Sequence, residues 1–221
     1  YEKINTNSKA SAAKRKQDGN YLDFILDYDI NLNKLNQNFN PSDGFNFIFS
    51  QELPIYSEDY TLVNRINYNK YYELNGNAIF SLGVFGATAN SLSNEDARIT
   101  KRIFIPGRKL RGFEVGKIGP KDGNDFVGGN YGSAINLAST LPNLFTEVQN
   151  LDLSLFLDAA NIWGVDYDST VKENKKIRSS TGIAIDWFTP IGPLSLSYSI
   201  PISKNSTDVT ETIRFNIGTT F

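Results

Sequence analysis

The sequence predicts an all-β fold, an antiparallel transmembrane β-barrel, and three observations support this prediction. Apolar and polar residues alternate over segments of about eight to ten residues, which is the period of a strand and not of a helix. The polar faces of these segments carry mainly Ser, Asn, Asp and Gly, with few of the Lys and Glu residues that cover soluble sheets. Short turns and longer polar connections follow one another, as they do in outer-membrane barrels.

Four alternating segments in the N-terminal half are predicted to be strands. Their apolar rows, in chain order, are Leu22, Phe24, Leu26, Tyr28, Ile30 and Leu32; Phe45, Phe47 and Phe49; Leu62, Ile66, Tyr68 and Tyr72; and Ala78, Phe80, Leu82 and Val84. The opening residues, YEKINT at 1–6, are interpreted as the tail of a tenth strand.

Five alternating segments follow in the C-terminal half, which brings the predicted total to nine strands, with no convincing amphipathic helix. Their apolar rows are Ser133, Ile135 and Leu137 around the inward Asn136; Leu151, Leu153, Leu155 and Leu157; Thr181, Ile183, Ile185 and Trp187; Leu194, Leu196, Tyr198 and Ile200; and Ile213, Phe215, Ile217, Thr219 and Phe221. In the second of these segments Asp158 falls on the polar face, which would line the barrel lumen.

The connections suggest which end of each strand faces which side of a membrane. Short turns are predicted at 75–76, 142–143 and 190–193, and longer segments at 6–20, 88–129, 164–177 and 201–211; 53–59 and 33–44 are exceptions. Aromatic residues near the strand ends would suit an interfacial girdle: Tyr21, Tyr71, Tyr72, Tyr131, Trp163, Trp187, Phe188 and Phe221. A soluble antiparallel barrel or sandwich has the same alternation and stays open as an alternative.

Composition excludes several function classes. The 22 Lys and Arg residues against 24 Asp and Glu give a net charge of −2, without the basic excess of a nucleic-acid binder. The sequence contains no Cys, His or Met, so it offers no zinc-type site, no disulfide and no His general base. We therefore expect no metal site of the zinc type. The absence of Met at residue 1 indicates that a segment has been removed ahead of Tyr1.

The strand number indicates that these residues are part of something larger. Single-chain bacterial barrels have an even number of strands, with both ends on the periplasmic side. Nine strands begin on the wrong side, and an open sheet would leave unpaired edges in lipid. We therefore expect residues 1–221 to be the C-terminal part of a larger barrel.

Six short motifs occur in a family-specific order. They are FNPSDG at 39–44, LRGF at 110–113, IGP at 118–120, GGN at 128–130, FLDAA at 156–160 and WFTPIGPL at 187–194. Together they resemble the bacterial surface-antigen superfamily, and within it the outer-membrane protein assembly factors. The resemblance covers roughly residues 20–221 and implies that the nine strands are the last nine of a sixteen-stranded barrel.

The resemblance also assigns roles to individual residues. It implies that 88–129 is a long extracellular loop folded into the lumen, where Arg111, Gly112 and Phe113 anchor it to Asp158. Two positions depart from the family pattern: Asn136 stands where an acidic residue is frequent, and Ala160 where Gly is frequent. Asp152 or Asp186 could compensate for the missing carboxylate. The periplasmic POTRA domains and N-terminal strands of the family have no counterpart in these residues.

The resemblance implies a non-enzymatic function that needs no cofactor: folding and inserting other outer-membrane proteins through a barrel seam that opens laterally. The last strand, with Phe215, Ile217, Gly218 and Phe221, would form that seam; Gly218 would weaken strand pairing or avoid crowding in the lumen. Implied partners are outer-membrane lipid, unfolded outer-membrane proteins, accessory assembly lipoproteins and periplasmic chaperones, in the bacterial outer membrane and without nucleic acid.

Other functions are kept as alternatives. A TamA-type protein or a two-partner secretion pore belongs to the same superfamily, and the domains ahead of the barrel would distinguish them. A passive porin lacks the long Arg-Gly-Phe loop. An enzyme could use paired carboxylates such as Asp27 and Asp29, although the polarity of a barrel lumen is the favoured explanation for these residues. A lectin-like soluble sandwich would be soluble without detergent.

Overall fold

The computed structural model describes residues 1–38, 40–74, 78–93, 96–142, 150–165, 171, 173, 175–189 and 192–217. The elements in chain order are β1 (Glu2–Ile4), α1 (Ala12–Lys16), β2 (Gly19–Tyr21), β3 (Phe24–Asn33), β4 (Gly44–Tyr56), β5 (Thr61–Glu73), β6 (Ile79–Ser91), β7 (Lys121–Asp122), β8 (Asp125–Phe126), β9 (Tyr131–Leu141), β10 (Leu151–Trp163), β11 (Arg178–Thr189), β12 (Gly192–Ser203) and β13 (Ile213–Ile217). No helix in this part of the chain is long and apolar enough to cross a membrane.

Nine strands form one antiparallel sheet in the order β13-β12-β11-β10-β9-β6-β5-β4-β3. This confirms the predicted fold class and the predicted number of strands in the main sheet. Every pair of neighbours is consecutive in sequence apart from β6 and β9, which are separated by the long segment 92–130. Among the described residues β3 and β13 each pair along one edge only, so the sheet is not closed.

The two faces of the sheet follow from the period-2 alternation. On β10 the inward residues Asp152, Ser154, Phe156, Asp158, Ala160 and Ile162 are buried. From Leu151 to Ala159 their outward neighbours are apolar, and Leu155 is 59% exposed. Outward apolar residues continue this exposed band across the sheet: Ile66, Ile135, Ile183, Leu196 and Phe215. A water-facing sheet would place polar residues there, whereas a lipid-facing one needs apolar ones.

The core lies between the long segment and the inner face of the sheet. Segment 92–130 contributes the buried residues Ile103, Ile105, Leu110, Phe113 and Ile118, and the strands contribute Val63, Phe85, Ala87, Ala89, Ala134, Ala160 and Ile162. The loop is therefore packed against the strands and not extended into solvent. Its bounds differ slightly from the predicted 88–129, because β6 continues to Ser91 and β9 begins at Tyr131.

Residues 1–23 differ from the prediction. The YEKINT segment is not the tail of a tenth strand of the main sheet, because Glu2–Ile4 pairs with Gly19–Tyr21 in a separate two-stranded sheet. Between these strands lies the short helix α1, which the period-2 analysis did not predict; the Ser11 side chain caps it by accepting from the Lys14 N–H. The first long strand begins at Phe24 and not at Leu22, since the Asp23 carboxylate binds Arg98 and the Ser57 hydroxyl.

Several predicted features lie partly or wholly outside the described residues. These are the turns at 75–76, 142–143 and 190–193, Phe39 of the 39–44 motif, and Gly218 and Phe221 of the last strand.

Candidate functional site

Arg111 and Asp158 form a two-pronged ion pair on the inner face of the sheet. Arg111 Nε lies 2.8 Å from Asp158 Oδ2, and Nη2 lies 2.8 Å from Oδ1. The backbone N–H of Arg111 also donates to Oδ2, at 3.0 Å. Asp158 is completely buried. This geometry is the bidentate fork that Arg makes with carboxylates, which fixes the orientation of the side chain as well as its position.

Side chains of the two neighbouring strands also hold this loop segment. Asn136 on β9 is the cross-strand partner of Asp158, and Ser180 on β11 is its partner on the other side. Asn136 Nδ2 donates to Asp158 Oδ1 at 2.8 Å and to the Lys109 carbonyl at 3.0 Å. The Ser180 hydroxyl donates to the Arg111 carbonyl. Three adjacent strands therefore hold the loop, because the antiparallel register brings these three side chains to one level.

The aromatic ring of Phe156 packs against the Arg111 guanidinium. The guanidinium carbon lies 3.5 Å from the centroid of the Phe156 ring, two residues before Asp158 on the same face of β10. A cation over an aromatic face is attracted by the ring quadrupole, most strongly where water is excluded. The Arg111 side chain is 19% exposed, so this contact contributes in a largely dry setting.

Gly112 and Phe113, the residues that follow Arg111, pack closely against neighbouring parts of the chain. Gly112 has φ +85°, and a Cβ there would lie 3.1 Å from Ser199 Cβ and 3.2 Å from Ser180 Cβ. Phe113 is 2% exposed and forms an isolated β-bridge with Thr210. Both the left-handed backbone and the close approach require glycine at 112.

Asn136 and Ala160, the two positions that depart from the family pattern, both lie on the inner face of the sheet. At 136 an amide donor replaces the usual carboxylate, so it binds Asp158 and not Arg111; its own Oδ1 is buried without a partner in the described structure. Ala160 is buried at 3% exposure. Asp152 accepts from Asn40 Nδ2 at 2.9 Å. Burial lowers the pKa of Arg108, and the negative charge of Asp186 opposes this shift.

A second buried Arg, which the sequence reasoning missed, joins residues 1–23 to the long loop. The Arg98 side chain is 3% exposed and contacts three carboxylates, those of Asp59 at 3.0 Å, Glu2 at 3.0 Å, and Asp23. Its guanidinium also lies over the Tyr21 ring, 4.3 Å from the centroid. No sequence motif marks this cluster, because its members come from distant segments.

The cluster shifts the titration of Asp59, which lies in the connection between β4 and β5. Burial opposes ionisation of this carboxyl, but hydrogen bonds from Arg98 and Ser57 outweigh burial and hold the pKa of Asp59 below its usual range. Hydrogen bonds to Asp59 and Asp23 raise the pKa of Arg98 against the effect of its burial.

A third ion pair lies at the beginning of β11. Arg178 Nε and Nη2 contact the two carboxylate oxygens of Asp208 at 3.0 and 3.1 Å, and both side chains are fully buried. Arg178 also donates to Asn161 Oδ1 at 2.8 Å. This pair attaches the connection between β12 and β13 to the ends of β10 and β11.

The terminal strand is described through Ile217. β13 pairs with β12 from Leu194↔Ile217 to Tyr198↔Ile213. Phe215 and Ile217 point outward and are 57% and 67% exposed. The described residues contain no group of three or more His, Cys, Asp or Glu side chains placed to hold a metal ion.

Comparison with known proteins gives a consistent family. The Omp85 superfamily domain matches residues 1–221. The chain is 28% identical over 139 residues to the outer membrane protein assembly factor BamA of Neisseria meningitidis, an alignment with 51% of this chain and 17% of that protein. It is 26% identical over 235 residues to the sorting and assembly machinery component 50 homolog of Mus musculus, with 96% of this chain and 48% of that protein.

A solved structure supports the same relationship. The crystal structure of BamA from Haemophilus ducreyi lacking POTRA domains 1–3 superimposes with a TM-score of 0.79 at 30% identity, and covers 88% of this chain and 42% of that chain. The chain thus spans less than half the length of the relatives it matches.

Proposed function

From the premise that this chain belongs to the Omp85 superfamily, we propose that it forms part of an outer-membrane protein assembly factor. In this role the barrel folds and inserts other outer-membrane proteins, without a cofactor and without covalent chemistry. The proposed location is the bacterial outer membrane, with lipid against the exposed apolar band that includes Ile135, Leu155 and Ile183.

The observation that carries this proposal is the seating of the Arg-Gly-Phe segment on the inner face. The Asp158 carboxylate holds both the side chain and the backbone N–H of Arg111. A passive porin needs an open aqueous lumen, whereas here segment 92–130 packs its apolar residues against the inward faces of the strands. A barrel whose lumen is filled in this way is suited to insert substrates between the strands of its wall and not to pass them through its centre.

The wall itself offers a route for substrates. Strand β13 pairs on one side with β12, and we propose that its other edge becomes available when the barrel seam opens. An exposed strand edge can template an incoming strand by β-augmentation, with backbone hydrogen bonds providing the affinity. We propose that unfolded outer-membrane proteins add their strands at this edge. Accessory lipoproteins and periplasmic chaperones are proposed partners for delivery.

Reconstitution tests this function. The complete gene product that carries residues 1–221 is placed in liposomes and given a urea-unfolded β-barrel protein, whose folding is followed by its heat-modifiable gel mobility. We expect faster folding than in empty liposomes, slower folding with Arg111→Ala, and no effect of Ser133→Ala on the outward face of β9. Folding no faster than in empty liposomes contradicts the proposal. Passage of the polypeptide into the liposome interior would instead favour a translocation pore.

A further inference from the structure

The long loop has a second attachment, made by an arginine on the terminal strand. Arg214 of β13 points inward, and its side chain is 10% exposed. Its Nη1 donates to the carbonyl of Gly107, and its Nη2 donates to the carbonyl of Phe113. Gly107 precedes the Arg-Gly-Phe segment, and Phe113 is the last residue of that segment. One guanidinium thus contacts the loop backbone both before and after Arg111, the residue that Asp158 holds.

The lack of a side chain at Gly107 makes room for the Arg214 guanidinium. A Cβ at residue 107 would lie 2.7 Å from Arg214 Nη1 and 2.8 Å from Val115 Cγ2. Both distances are shorter than a carbon at that place tolerates, so any larger residue would push the guanidinium away. The loop and the strand are therefore matched to one another at this point.

The neighbouring backbone continues the connection. Glu211 N–H donates to the Gly112 carbonyl at 3.1 Å, and Glu114 N–H donates to the Val209 carbonyl at 2.9 Å. Glu211 also accepts from Arg214 Nε at 2.9 Å, which orients the guanidinium toward the loop. The segment leading into β13 and the loop are thus joined along several residues, with Arg214 at their centre.

The terminal strand has contacts to the loop as well as to the sheet. Its register with β12 is described from Leu194↔Ile217 to Tyr198↔Ile213. Arg214, within this paired stretch, adds its two hydrogen bonds to the loop backbone. The described part of β13 is therefore attached both to its neighbouring strand and to the loop.

We infer that Arg214 is a positioning residue that couples the place of the long loop to the pairing of the terminal strand. Arg suits this role because its planar fork directs several N–H donors to separate acceptors at once. If β13 moves away from β12 at this end, the carbonyls of Gly107 and Phe113 lose their donor. Coupling of this kind is reciprocal, so releasing the loop must also loosen the strand. The inference rests on the proposed function, in which the terminal strand exchanges partners.

Hydrogen exchange of the complete protein in nanodiscs tests the coupling. We expect Gly107→Ala to speed amide exchange in 213–217 and Arg214→Gln to speed exchange in 107–113, each by about tenfold, a typical size for directly coupled residues. Arg214→Lys keeps the charge but not the fork, so it should restore only part of the protection. Gly86→Ala is the matched control, because a Cβ there meets nothing within 4 Å.

The reciprocal pattern separates coupling from an ordinary structural role. If Gly107→Ala and Arg214→Gln each change exchange only around their own position, or if their effects add in the double variant, the inference is wrong. Should Gly107→Ala fail to fold, Arg111→Ala releases the same loop and must likewise speed exchange in 213–217. Exchange does not depend on assembly activity. Coupled exchange in a protein that does not speed folding would therefore contradict the proposed function alone.

Discussion

Asn136 donates its side-chain amide to Asp158, the carboxylate that grips Arg111, at 2.8 Å. The family resemblance implies an acidic residue at 136, which would accept from Arg111. The amide of Asn136 instead donates to Asp158, so among the described residues Arg111 is paired with the carboxylate of Asp158. The same amide also donates to the Lys109 carbonyl at 3.0 Å, so Asn136 holds the loop directly as well as through Asp158.

Removing either partner of the central ion pair should release the loop. Arg111→Ala leaves the Asp158 carboxylate buried without its cation, and Asp158→Ala leaves Arg111 without its anion; breaking a buried pair in this way costs about 3–5 kcal/mol. We expect protease cleavage within 107–117 to become much faster in both variants. Unchanged cleavage in both would rule out this anchor. Lys70→Ala, which removes an exposed ion pair with Asp43 away from the loop, is the control.

Asn136→Ala should loosen the loop less than Arg111→Ala does. The variant removes two donated hydrogen bonds but keeps the ion pair, and leaving a buried acceptor without its donor costs about 1–3 kcal/mol. Cleavage within 107–117 should therefore be intermediate between wild type and Arg111→Ala. The exposed Ser133 of the same strand provides the control as Ser133→Ala. A rate for Asn136→Ala equal to that of wild type would show that the amide does not hold the loop.

Gly112→Ala should destabilise the site through both backbone and packing. A left-handed backbone costs a non-glycine residue about 1–2 kcal/mol, and the new Cβ would press on Ser180 and Ser199. Gly123→Ala isolates the first contribution, because Gly123 also has positive φ, +59°, but nothing within 4 Å of its Cβ position. Thermal unfolding should show a larger loss for Gly112→Ala. Equal losses would mean that the close approach at 112 is unimportant.

Acidification should release residues 1–23 from the long loop. The pKa of Asp59 is lower in the folded protein, so its contribution is complete above the ordinary value of 3.8 and is lost as the pH falls through the folded value. Asp125, which holds Ser11 and Lys14, is shifted in the same direction. A spin label at Ala12→Cys should become mobile below about pH 3.8, and Asp59→Asn should raise its mobility already at neutral pH. A label that stays immobile throughout would contradict this account.

The alternation predicted much of the fold because a strand has only two faces. Placing Leu155 and Leu157 outward necessarily places Asp158 inward, and connection lengths then order the strands. The meeting of Arg111 with Asp158 was expected from the resemblance together with this count of faces. Neither source could supply the distance or the role of Asn136, because both depend on the register between β9 and β10.

The features that were missed depend on contacts between distant segments. Arg98 gathers carboxylates from positions 2, 23 and 59, and nothing local in the sequence distinguishes these from solvated surface charges. The same contacts explain why YEKINT was wrongly expected to extend a strand of the main sheet: Glu2 is bound to Arg98, and its strand pairs with β2. Arg178 with Asp208 is a further pair that only the folded chain brings together.

Cross-linking a substrate to the terminal strand tests the central proposal most directly. Residues 1–221 contain no Cys, so Phe215→Cys on β13 can be paired with single Cys residues along the last strand of a stalled outer-membrane substrate. The proposal predicts disulfides at Phe215→Cys that recur at every second substrate residue, as strand pairing requires. Leu155→Cys is the control, since it also points outward but lies on β10, which is paired along both edges. Cross-links at Phe215→Cys no stronger than at Leu155→Cys would contradict insertion at this edge.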